Sequence, residues 1–126
     1  MVLCRSPRAW LPREVRYFNP FALYFSLNVA GSRYAHDTLT RFMSSKGWEV
    51  TNHYLGLDTA WRAEFTVGNG GRTVGVNSEM DALPGIGHAC GHNLIAIAGV
   101  GVALAVKAAL EKHCVPGKVV LLGTPG

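Results

Sequence analysis

Apolar residues recur along this chain with different periods in different stretches, and the changes of period mark its elements. Ala35, Leu39, Phe42 and Met43 fall at i, i+4, i+7 and i+8, one stripe on a helix. Lys46 sits in the last turn and Gly47 suits the left-handed position that closes a helix, so a helix is predicted over residues 35–46. Residues 48–54 and 61–67 alternate β-branched or aromatic side chains with polar ones, the rhythm of strands. Gly68-Asn69-Gly70-Gly71 is a tight-turn signal and predicts a hairpin between the second of these strands and a third over 73–77. Residues 94–110 are almost uninterrupted Ala, Val, Leu and Ile with Gly99 and Gly101 inside, a helix whose glycines suit close approach to a sheet. Pro116-Gly117 then turns the chain into a short apolar run, 118–122, of the kind found in buried parallel strands. Strand, loop, long helix and strand make one βαβ crossover. The fold class expected is α/β: a mixed sheet with a buried crossover helix.

Composition narrows this picture. At 126 residues, 48% apolar and 16% charged, the chain belongs with globular domains and holds one modest core. Its net charge of +4 is carried by residues 1–33, where five arginines face the single acid Glu14; the rest balances to zero. The folded part therefore offers no basic face, and no nucleic-acid partner is expected. The Arg-rich start followed by the aromatic run 17–27 has the outline of a targeting segment, but Pro20 and Asn28 fit that template badly, and residues 1–33 are read as an atypical, misassigned segment preceding a domain at 34–126. Residues 94–106 are thirteen without charge where a span needs about 20, which favours a domain helix over a membrane one. Cys4, Cys90 and Cys114 are odd in number and share no disulfide-framework spacing, pointing to free or metal-bound thiols and a cytoplasmic location.

The chemistry is concentrated in residues 78–93, where two carboxylates, two histidines and a thiol lie among small and turn-forming residues. Cys90 and His92 form a Cys-x-His pair whose thiolate and imidazole suit zinc or another borderline metal. Asp81 is placed to orient a histidine ligand, Glu79 to do likewise, and His88 to donate to a reacting carbonyl oxygen. Blander readings stand beside these: a buried thiol next to a hydrogen-bonded histidine, carboxylates that cap a helix or face solvent, or a Cys/His nucleophilic pair. His36, His53 and His113 read as structural or exposed.

The motifs Met80-Asp81-Ala82-Leu83-Pro84 and His88-Ala89-Cys90-Gly91-His92 resemble those of the aminoacylase/carboxypeptidase family of two-metal peptidases and amidohydrolases. The short spacer Gly85-Ile86-Gly87 and the terminal Asn93 are most similar to the Xaa-Arg (β-alanyl-lysine) dipeptidase group. The likeness runs from about residue 34 to 125. It implies that Cys90 and His92 are metal ligands, that Asp81 is a supporting catalytic residue, and that two divalent ions, zinc or manganese, serve hydrolysis of amide bonds in dipeptides or N-acyl amino acids. It also implies a zinc-peptidase-like catalytic domain and a homodimer for the full-length protein. In the family the last strand leads into Thr-Pro-Ala-Glu-Glu, whose glutamates supply the general base and a further ligand, whereas this chain reads Thr124-Pro125-Gly126. The expectation is accordingly of an incomplete domain, inactive as 126 residues. A non-catalytic product retaining the scaffold and a thiol enzyme using Cys90 are the alternatives.

Overall fold

The computed structural model describes residues 20–125. Readings that fall on residues 1–19, including the Arg-rich start, lie outside them. The elements run α1 (Pro20–Ser45), β1 (Glu49–Asn52), β2 (Trp61–Val67), β3 (Arg72–Glu79), α2 (His92–His113) and β4 (Gly117–Thr124). A short 3-10 turn, Tyr54–Gly56, joins the first two strands.

α1 begins well before the predicted helix and breaks at Gly31, whose φ of 72° only glycine adopts freely. Its later half carries the expected stripe: Ala35, Leu39 and Met43 are completely buried and Phe42 packs against them. Gly47, at φ 76°, closes the helix, and Trp48 N–H donates to Met43 O across the turn.

The four strands form one sheet in the order β1-β2-β4-β3. β2 has the bounds its alternation predicts, but it does not pair with β3, and the expected hairpin is corrected. β4 lies between them, antiparallel to β2 and parallel to β3. The glycine turn runs beside the start of β4: a Cβ on Gly71 would lie 1.9 Å from Pro116 O, so only glycine fits. Burial explains which strand takes the middle. β4 buries every second residue, including Val119 and Leu121, while most of β3 is exposed from Arg72 to Gly75. The more apolar run occupies the position covered on both edges.

α1 and α2 pack on one face of this sheet. Their buried residues meet Trp61, Ala63, Val119 and Leu121 in a single core, with Trp61 the largest side chain fully enclosed. Of the two glycines in α2, Gly99 behaves as expected. A Cβ there would lie 2.6 Å from Ser78 Oγ, and that buried hydroxyl donates to Ala96 O at 3.0 Å. Gly101 faces open space. The expectation of a buried crossover helix holds for one face only. Ala96, Val100 and Ala103 are enclosed, but Leu94, Ile95 and Val102 are exposed, because one sheet layer can cover only one stripe. By length and composition α2 is the helix among the described residues that could cross a membrane, longer than the uncharged count suggested because His92 to His113 is helical throughout.

Candidate functional site

The site is assembled where β3 ends and α2 begins, beyond the carboxyl edge of the parallel pair, which is where open α/β sheets place their sites. Register fixes its entry. Glu79 stands opposite Thr124, Met80 N–H donates to Thr124 O at 3.1 Å, and Thr124 Oγ1 donates to Asn77 Oδ1 at 3.2 Å. The chain then folds into a small closed loop, with Leu83 and Gly87 exchanging backbone hydrogen bonds of 2.8 and 3.0 Å. A second turn, in which Gly91 N–H donates to His88 O, brings the chain to Gly91 at φ 85°, and α2 starts at His92.

This path brings three side chains together. His92 Nδ1–H donates to Asp81 Oδ1 at 2.6 Å, and His92 Nε2 lies 3.1 Å from Glu79 Oε2. The imidazole and the Asp81 side chain are largely shielded, at 24% and 18% exposure, while Glu79 is nearly half open at 45%. Both carboxylates face the first turn of α2, whose unpaired amide N–H groups carry partial positive charge. The sequence reading that Asp81 orients a histidine ligand agrees with this contact. The capping and solvated-charge readings do not describe these carboxylates.

Cys90 is exposed and a free thiol, with its sulfur 4.0 Å from Asp81 O. No hydrogen bond joins it to a histidine among the described residues, so the arrangement of a nucleophile activated by an adjacent base is not formed there. Cys114, expected as a free thiol, is disulfide-bonded; an odd cysteine count leaves one thiol over, and Cys90 remains free. His88 is only 8% exposed and both ring nitrogens lack partners, which does not place it to donate to a substrate oxygen. His36 and His53 are structural, as expected. Their rings stack at 5.3 Å and each donates through Nδ1 to a backbone carbonyl, of Thr59 and Asp58 respectively.

The donor set fits a divalent cation: an accessible thiol, and an imidazole whose Nδ1 is held by a carboxylate so that Nε2 is left to coordinate, the usual support of a histidine ligand. No three such donors already converge on one point among the described residues. Glu79, read from sequence only as support for the ring, makes the contact that spacing did not reveal. Its position at the end of β3 depends on the β3–β4 register, and only its two-residue separation from Asp81 hinted that both could serve one histidine.

No protein-family model matches the chain. Among curated proteins it is similar to Xaa-Arg dipeptidase of Mus musculus, 47% identical over 102 residues, covering 72% of this chain and 23% of the relative. The Homo sapiens Xaa-Arg dipeptidase is 45% identical over 107 residues, covering 73% and 24%. A p-aminobenzoyl-glutamate hydrolase of Escherichia coli (strain K12) is 32% identical over 107 residues, covering 71% and 22%. This chain thus spans about a quarter of the length of the curated relatives it matches. In fold it resembles the crystal structure of an aminohydrolase from methicillin-resistant Staphylococcus aureus, with a TM-score of 0.50 at 22% identity over 84% of this chain and 34% of that one.

Proposed function

We propose, from the relation of this chain to the peptidase and amidohydrolase family shown by those relatives, that the protein carrying it hydrolyses amide bonds in dipeptides or N-acyl amino acids. Dipeptides ending in Arg or Lys are the proposed substrates. The observation that carries the reading is the 2.6 Å contact between Asp81 and His92, in a chain that is 47% identical to an Xaa-Arg dipeptidase over 102 residues. Cys90 and His92 are the proposed ligands to one of two divalent ions, zinc or manganese. Such ions, when bound, lower the pKa of a shared water and polarise the scissile carbonyl.

The roles of the chain's own residues follow from their positions. Asp81 accepts from Nδ1–H and holds the ring in one tautomer and orientation. The closed loop 83–87 and the turn at Gly91 bring Cys90 and His92 to the strand end that carries Asp81. The Ser78–Ala96 bond and the seat of Gly99 fix α2, and with it His92, relative to β3. A cytoplasmic location, a homodimer, and the absence of membrane and nucleic-acid partners belong to the same proposal.

The test is hydrolysis of dipeptides ending in Arg or Lys by the full-length protein before and after dialysis against a chelator. Loss of activity on chelation and recovery with zinc or manganese is expected. Activity that survives chelation and is abolished by Cys90→Ser would instead support a thiol enzyme. A full-length protein that is folded, metal-loaded and inactive on these substrates would support a non-catalytic scaffold.

A further inference from the structure

Asp81 occupies Nδ1 of His92, so a cation bound by this histidine must approach Nε2, and Nε2 faces Glu79 Oε2 at 3.1 Å. The cation's place and the carboxylate's place therefore overlap. Either Glu79 moves away on binding or it becomes a ligand itself. Distances favour the second course. A nitrogen and an oxygen that both bind one tetrahedral zinc, at about 2.0–2.2 Å each, lie about 3.3–3.5 Å apart, close to the separation already present.

We infer that Glu79 is a ligand to the same cation as His92, which deepens the metal-dependent reading above and rests on it. Three features support this. Glu79 is the last residue of β3 and its backbone is held by the pairing with β4, so the carboxylate is delivered by a strand rather than a mobile loop. At 45% exposure it is open enough to admit an ion from solvent. The basic side chains of the neighbouring strands do not compete for it, because Arg62 and Lys118 are engaged with Glu64 instead. Two hard or borderline donors, Glu79 oxygen and His92 nitrogen, are thus in place, and Cys90 completes a set of three by turning its exposed side chain from Asp81 O. Three protein ligands with an open fourth position is the arrangement of a catalytic zinc centre.

The experiment is metal binding by the chain itself, by competition with a chromophoric chelator for zinc and by the thiolate-to-cobalt charge-transfer band with cobalt. The chains compared are wild type, C90S, H92A, E79Q and E79C, with circular dichroism to confirm the fold of each. If Glu79 is a ligand, E79Q weakens zinc binding at least about tenfold, alongside C90S and H92A. E79C then adds a second thiolate, and the charge-transfer band about doubles. If Glu79 merely contacts the ring, E79Q leaves affinity unchanged or tightens it by removing a competitor, and the E79C band equals that of wild type. That result overturns the inference while losses in C90S and H92A leave the metal reading standing. Should E79Q not fold, the E79C band decides alone. A wild-type chain that binds neither metal, or binds it equally with C90S and H92A, overturns both.

Discussion

At the scale of single residues, what this structure needs most is space in the right places. Trp61 and Gly123 are directly paired across β2 and β4, and the indole lies over the glycine so closely that a Cβ there would be 2.0 Å from Nε1. The ring cannot yield easily, because it is fully buried and its N–H donates to Met80 Sδ at 3.3 Å. Gly123→Ala is expected to destabilise the fold by about 1–3 kcal/mol through overpacking, measured as a lower urea midpoint at an unchanged slope. Asp81 gives the second residue-scale prediction. Asp81→Asn keeps the shape but exchanges an ionised acceptor for a neutral amide, so metal affinity should fall about 10–100-fold, read by the same chelator competition, with the fold retained. The sequence shows that Asp81 and His92 belong to one loop. It does not show that Glu79 reaches Nε2, because that contact depends on where β3 ends relative to β4.

At the scale of elements, local signals and neighbour identity separate cleanly. The alternation of 61–67 defines β2 to the residue, and the stripe from Ala35 to Met43 gives the packed half of α1. Both are properties of a short window. The hairpin failed because strand order is decided between distant segments: the glycine turn announces a reversal of the chain but cannot say whether a third strand will enter the gap. The polar face of the sheet shows what the inserted strand brings. Glu64 on β2 is paired with its neighbour Arg62 and with Lys118 on β4 at 3.3 Å. Burial acts to raise its pKa, but the hydrogen bond from Lys118 and the charges of Arg62 and Lys118 outweigh it and leave the pKa below the ordinary value. A carboxyl with a depressed folded pKa stabilises the fold above its unfolded pKa, and that contribution is lost as pH falls through the folded value. Stability should therefore drop on acidification through and below the usual carboxylate range. Glu64→Gln should flatten that slope, as followed by thermal melting from neutral to acid pH.

For the whole molecule, the sheet is covered on one face by two helices, and α2 presents Leu94, Ile95 and Val102 outward. Separated apolar side chains on a surface need no explanation, but these share one helix beside an unpaired edge at β3. The isolated chain is expected to self-associate in a concentration-dependent way, with Ile95→Lys combined with Val102→Lys shifting the sedimentation distribution toward monomer. A monomeric wild-type chain at high concentration would refute this. The composition made the helix visible, but which of its faces would be covered depends on the layers around it, which no pattern inside the helix encodes.

The central place of β4 has a consequence for how the molecule comes into being. β2 and β3 are near in sequence yet touch no common partner until β4 arrives, and α2 must first be laid down between β3 and β4. Every pairing β4 makes spans a long loop, so these closures demand much chain entropy before any contact repays it, the condition associated with slow folding. During synthesis the early strands and α1 would leave the ribosome before the strand that joins them, exposing apolar surface for as long as translation takes to reach Gly117–Thr124. The Glu79–Asp81–His92 cluster shares that timing. Its strand end is held opposite Thr124, so the site takes shape at the close of folding, when the last strand slides into the middle.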